Sequence, residues 1–300
     1  MTSPTPAAVS PNAFPGLAPI SLVTAATVWG LIWYPYRLLE MAGLSGSVSS
    51  LLTYFLGVIP LLFLVRGRVW PRAGQFRWLL AVALTAGWTN LSYVLAVIHG
   101  EVMRVMLLFY LAPLWTVLFA RLILKESAGA AGMAVVALSL AGAMVMLYRG
   151  GGLPLPANGA EWLGLSSGIG FALTNVITRK TRDIPIETRS LWVFLGVTGM
   201  AGAFSAAEAG SIDAIVSVDA GAWLIMAGIT LGLLLATFTV QYGLAHVAAN
   251  RAVVILLFEL VVAALSSRWL AGEIMDAQEW LGGAMIIAAT LFSIRAYRHD

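Results

Sequence analysis

Few polar side chains interrupt the long apolar stretches of this sequence, and those few have chemistry to offer. Midway along apolar runs stand Thr89 and Asn90, Thr174 and Asn175, Thr237 and Gln241, and the carboxylate Glu259. A second group occurs in "VIHGEVMRVMLLFYLAP", which puts His99, Glu101 and Arg104 within six positions. Polar groups in hydrocarbon are costly and by default face a bundle interior or a wet cavity. The amides serve equally well as glue between helices, typically worth about 0.6 kcal/mol each, and the threonines can bond their own preceding turn. Glu259 is a candidate for proton coupling, because desolvation penalises a bare carboxylate; the alternative is a structural, hydrogen-bonded glutamate. Glu101 and Arg104, three apart, could pair on one helix face.

Other chemistry is missing from the sequence. There is no His-Glu-x-x-His pair for zinc, no cluster of aspartates for magnesium, no glycine loop for ATP, and Ser166 and Ser167 have no evident base nearby. Zero cysteines exclude disulfides, thiolate metal sites and cysteine nucleophiles. No catalytic residue, metal or cofactor is therefore assigned, and a polytopic membrane enzyme is disfavoured.

The elements that must position these residues follow from composition. The 300 residues are 60% hydrophobic and 10% charged, with mean hydropathy +0.90, which marks an all-α integral membrane protein. The basic balance of +3 carries no nucleic-acid inference, since in such a chain it reports mostly which loops are cytoplasmic. Residues 1–16, with four prolines and no charge, read as a flexible tail and not as a signal peptide. Cutting the rest at charged and Gly/Pro-rich punctuation predicts ten membrane-length runs, near 17–38, 47–65, 76–98, 102–124, 128–148, 160–179, 188–207, 220–244, 250–270 and 277–296. With both termini cytoplasmic, thirteen of the seventeen lysines and arginines fall on the inner side and four on the outer, so a multi-pass inner (plasma) membrane protein is expected.

An internal repeat organises the runs. Residues 90–126 align without a gap on 237–273 at an offset of 147, which pairs His99 with His246, Arg104 with Arg251, Arg121 with Arg268 and Glu126 with Glu273. "FLGV" recurs at 55–58 and 194–197, and at a slightly different offset Trp29 and Arg37 meet Phe171 and Arg179. Two five-helix repeats are thus expected, 17–148 and 160–300, joined by an outer linker at 149–159. An odd repeat in tandem must be inverted, the usual construction of secondary transporters, with a substrate site near the midplane.

The spacing of "YLAPLWTVLFARLILKE" (110–126) and "LFELVVAALSSRWLAGE" (257–273), each followed by a glycine-containing final run, resembles the drug/metabolite transporter superfamily. More narrowly it is similar to ten-span EamA-type exporters, and among those to bacterial aromatic amino-acid exporters. Pro113, Glu126, Glu259 and Glu273 match family positions, and Phe171 stands where those exporters often have tryptophan. Leu260 departs from a proline common after the equivalent of Glu259, leaving a kink in the ninth run open. The resemblance implies a cavity lined by runs 1, 3, 4, 6, 8 and 9, and export to the outside.

On those runs the candidate substrate-binding residues are Trp29, Trp33, Trp88, Asn90, Tyr93, Phe109, Tyr110, Phe171, Asn175, Phe238, Gln241 and Tyr242. Packing explains any single one of these aromatics equally well. Such a lining suits large neutral amino acids, which as zwitterions move no net charge against a potential worth ~2.3 kcal/mol per charge per 100 mV. The alternative is proton-coupled export of amphipathic cations or drugs. His99, Arg104, His246 and Arg251 are expected as turn or gate residues, and Pro113 and Gly243 as hinges. Expected partners are a small-molecule substrate and the lipid bilayer, with a proton only if efflux is coupled through Glu259 instead of following the amino-acid gradient, and no nucleic acid. The oligomeric state is left open, and a monomer fits.

Overall fold

The computed structural model of the chain describes residues 17–65, 74–125, 130–148, 155–181, 184–208, 213–246 and 255–296, and among these it is helical with short connections. The helices are α1 (Leu17–Leu31), α2 (Trp33–Met41), α3 (Gly46–Val65), α4 (Phe76–His99), α5 (Val102–Phe109), α6 (Ala112–Phe119), α7 (Ala130–Leu147), α8 (Gly159–Lys180), α9 (Ile186–Ala207), α10 (Asp213–Ser217), α11 (Ala220–His246), α12 (Phe258–Leu270) and α13 (Ala277–Ala296), with a π-helical turn at Ala120–Leu124 after α6. Helical structure stands at each of the ten predicted positions. Among the described residues six segments are long and apolar enough to cross a membrane: Leu17–Met41, Gly46–Val65, Phe76–His99, Val102–Leu124, Ile186–Ala207 and Ala220–Val240. Large apolar side chains cover their outward faces, such as Phe55, Ile59 and Phe63 of α3 and Leu224, Leu231 and Leu235 of α11. Only a hydrocarbon surround makes so much exposed apolar surface favourable.

Packing has the symmetry of the repeat. Exchanging the halves turns the α1–α11 contact into α8–α4, α1–α12 into α8–α6, and α3–α11 into α9–α4, and every one of these pairs is formed. The α3–α9 and α7–α13 pairs map onto themselves. Glycine sets how closely the backbones approach. A Cβ on Gly196 of α9 would lie 2.1 Å from the Ala83 carbonyl oxygen of α4, and one on Gly282 of α13 would lie 2.6 Å from the Gly142 carbonyl oxygen of α7. With little hydrophobic drive between helices in lipid, such contacts carry the association.

One end of the bundle is laced by carboxylates. Glu273, after α12, accepts the Val102 amide at 2.9 Å and the Met103 amide at 3.3 Å, so it caps α5 from 170 residues away. It also pairs with Arg37 at 3.4 Å, and Arg37 in turn donates to the carbonyls of Val97 (2.8 Å) and Gly100. Glu208, after α9, accepts Ser45 and Ser47 at 2.7 Å, beside the start of α3. Gly100 turns the chain between α4 and α5 where a side chain would strike Ala160 of α8.

Arg104 is buried at the same end between Glu161 of α8, at 2.9 Å, and Glu279 of α13. This corrects the expected Glu101–Arg104 pairing: Glu101 is exposed at the α5 N-cap, and the guanidinium turns inward to two glutamates that helix capping has already placed. Glu161 follows the N-cap Asn158, whose side chain accepts the Glu161 amide at 2.9 Å. Glu279 and Asp276 exchange backbone bonds at 2.7 and 3.1 Å, a capping box. His99 stays exposed, bonded to the Leu95 carbonyl at 2.8 Å and 3.7 Å from Glu40.

Arg104→Met would leave two buried glutamates facing each other. The expected cost is about 3–5 kcal/mol, read as a lower thermal-unfolding midpoint in detergent; an unchanged midpoint would show that the pair contributes nothing. Gly196→Val should also destabilise, by about 1–3 kcal/mol from overpacking, whereas Gly199→Val, where a Cβ meets no atom within 4 Å, should leave the midpoint in place.

Candidate functional site

Among the described residues three segments are interrupted around one cluster. Pro35 has no N–H for the Leu31 carbonyl, and the chain breaks at Ile32 between α1 and α2. Pro113, likewise, has none for the Phe109 carbonyl, and the chain breaks at Tyr110 and Leu111 between α5 and α6. The third break is a turn at Leu257, just before α12. Tyr110 and Leu257 are partners under the repeat offset of 147. Leu260, unlike Pro113, keeps its amide, which donates to the Leu257 carbonyl at 3.1 Å, so this segment breaks without a proline.

Around the breaks, Trp33, Tyr93, Tyr110, Leu257 and Leu260 pack in one cluster. Tyr110 donates its hydroxyl to Glu259 at 2.9 Å. Among the described residues Glu259 accepts no other hydrogen bond. Phe109 stands edge-on to Tyr93 at 5.7 Å and to Tyr110 at 5.8 Å, and meets Phe171 at 5.0 Å. Five candidates from the sequence, Tyr93, Phe109, Tyr110, Phe171 and Glu259, thus come together from α4, α5, the α5–α6 turn, α8 and α12.

Two glycines set the spacing of this group. A Cβ on Gly168 would lie 2.6 Å from the Phe109 carbonyl oxygen, and one on Gly30 would lie 2.7 Å from that of Glu259. The first lets α8 reach α5, and the second lets α1 reach α12. Asn175 lies one turn beyond Phe171 on the same face of α8, and both are exposed there.

Other candidates have different surroundings. Trp33 is fully buried; it donates its indole N–H to Ser266 of α12 at 3.0 Å, and Arg37 covers its ring at 4.8 Å. Trp29 is half-buried on α1. Asn90 accepts from Tyr54 at 2.6 Å, which ties α4 to α3, and donates to the Ala86 carbonyl of its own helix at 2.8 Å, so both ends of its amide are occupied. Trp88 pairs with the exposed Phe204 at 6.1 Å. Phe238 and Tyr242, 41% and 37% exposed, continue the stripe of Leu224, Leu231 and Leu235 on α11, on the face turned from α1 and α3.

Gly243 lies within the unbroken α11, where a Cβ would strike Leu22 of α1 at 2.4 Å, so it serves close packing. Gln241 and His246 lie on α11 with side chains outside the described residues, and Arg251 lies outside them altogether. Thr89, Thr174 and Thr237 bond carbonyls four residues back, and Thr174 also reaches Thr85 of α4 at 2.8 Å.

Sequence reasoning missed Ser266, Glu161 and Glu279 as partners of the residues it singled out. For the glutamates a signal was present in Asn158-x-x-Glu161 and Asp276-x-x-Glu279, spacings that start helices. Nothing local marks Ser266, 233 residues from Trp33.

Known proteins resemble this arrangement. A transporter of Archaeoglobus fulgidus, itself described as uncharacterized, is 25% identical over 276 residues, spanning 92% of this chain and 95% of its own. A protein of known crystal structure superposes with a TM-score of 0.56 over 94% of this chain and 99% of that one; at 16% identity it speaks for the fold alone. The model of the EamA-like transporter family matches twice, over residues 16–148 and again over 158–295. With helices built for a membrane and a polar group at the meeting of broken segments, the chain belongs to the EamA-like transporter family.

Proposed function

We propose that this membrane transporter exports amino acids, chiefly aromatic and other large neutral ones, by alternating access through a cavity at the helix breaks. The observation that carries this is an aromatic group of Tyr93, Phe109, Tyr110 and Phe171, from which Tyr110 donates to the carboxylate of Glu259, beside interruptions in three segments. Broken helices around a polar group are how transporters build a midplane site. Aromatic walls suit a large side chain, and one carboxylate suits an ammonium group.

In this reading all ten helical segments cross the inner membrane, the termini are cytoplasmic, and the carboxylate-laced end faces outward. Glu273 on Arg37 and on the start of α5, with Arg104 between Glu161 and Glu279, then close the outer gate. That is the state in which a cytoplasmic substrate is admitted. Pro113, at the break beside Tyr110, is the proposed hinge.

A second reading, proton-coupled export of amphipathic cations, is favoured by the same Glu259, since a midplane anion facing aromatic rings also suits an organic cation.

Counterflow in proteoliposomes preloaded with phenylalanine, leucine, threonine or methionine separates the two. Accumulation of labelled phenylalanine is expected; movement of a cationic dye with no amino acid would sink the first reading. For coupling through Glu259, the Glu259→Gln variant should lose any response of transport to an imposed pH gradient, and an undiminished response would remove Glu259 from that role.

A further inference from the structure

One polar atom in the central group has no role in holding the helices. Among the described residues the Tyr93 hydroxyl is buried without a hydrogen-bond partner. A buried donor left unpaired is uncommon and destabilising, so a tyrosine there calls for a physical reason that phenylalanine would not. Tyr54, on the neighbouring α3, shows the ordinary solution: its hydroxyl is bonded to Asn90 at 2.6 Å. The Tyr93 ring is fixed edge-on to Phe109 at 5.7 Å; Phe109 in turn stands edge-on to Tyr110 at 5.8 Å, whose hydroxyl is on Glu259, and Tyr93 and Tyr110 pack in the same cluster.

The two groups ask for complementary things. Glu259 has one oxygen on the Tyr110 hydroxyl and the other with no bond among the described residues, so it calls for a donor. The Tyr93 hydroxyl is free to donate, so it calls for an acceptor. Phe109 and Phe171 beside them call for an apolar group. A molecule that meets all three carries a protonated amine, a nearby acceptor oxygen and a large apolar side chain.

We propose that Tyr93 is a specificity-determining residue: its hydroxyl donates to the carboxylate of a zwitterionic α-amino acid whose ammonium group rests on Glu259. The proposal builds on the amino-acid reading above and gives it a means of preferring amino acids to simple amines. The ammonium group offsets the charge of Glu259, which lets a second carboxylate approach the same space.

The test compares phenylalanine with phenethylamine, which keeps the ring and the amine and lacks the carboxylate. In proteoliposome counterflow, Tyr93→Phe should raise the half-saturation concentration for phenylalanine about tenfold and leave inhibition by phenethylamine at the wild-type level. Its thermal-unfolding midpoint should stay level or rise, because no internal bond is lost. Tyr54→Phe is the control: it loses a bond, so its midpoint should fall while the phenylalanine-to-phenethylamine ratio holds. An unchanged ratio in Tyr93→Phe, or equal weakening of both ligands with a lower midpoint, overturns the proposal while the amino-acid reading stands. Wild-type protein that carries no phenylalanine overturns both.

Discussion

Hydrocarbon offers no hydrogen bonds, so a chain that crosses it must pair its own backbone groups, and a break in a helix there is costly unless something nearby repays it. This protein breaks three segments, at Ile32, at Tyr110 with Leu111, and at Leu257. Prolines force the first two, and the third forms with its amides intact. Because the breaks are neighbours, polar and aromatic side chains meet there. Most other features hold that group in place.

Close approach does the holding. Gly30 and Gly168 bring α1 to α12 and α8 to α5 on the two sides of the group, and these are equivalent contacts under exchange of the halves. At the Arg37 end, longer polar ties take over. Four glutamates, Glu161, Glu208, Glu273 and Glu279, each join elements far apart in the chain. Interior contacts by glycine and end contacts by charge divide the work along the depth of the bundle, since ion pairs deep in hydrocarbon would cost more in desolvation than those near an interface.

Much of the fold was legible because membrane length and hydropathy are strong signals: helical structure stands at every predicted run, and the close turn between the third and fourth runs is made at Gly100, while most of that between the eighth and ninth lies outside the described residues. The phase of each helix was not. α1, α9 and α11 have no distinct apolar face, so the sequence of α11 did not reveal that Phe238 and Tyr242 lie with its exposed leucines. For Asn90 the residue type said that it must bond something, and only the fold says that the partner is Tyr54. Arg104 was paired by proximity in sequence with Glu101, yet glutamates 57 and 175 residues away are fixed by their helix caps and meet it better. The central group was the more readable part. Glu259 and its aromatic neighbours stand out by type in an apolar background, and the repeat pointed to their runs.

Glu273 has a second consequence through the start of α5. The first amides of a helix have no partner within it, and here a carboxylate from beyond α12 fills two of those places. An N-terminal cap is worth about 1 kcal/mol. Separating α12 from α5 at this end therefore uncaps a helix as well as breaking the Arg37 pair, and the first turn of α5 would begin to fray as the two part. Any parting of the halves at this end would thereby be linked to local helix stability, so secondary structure itself would change with it.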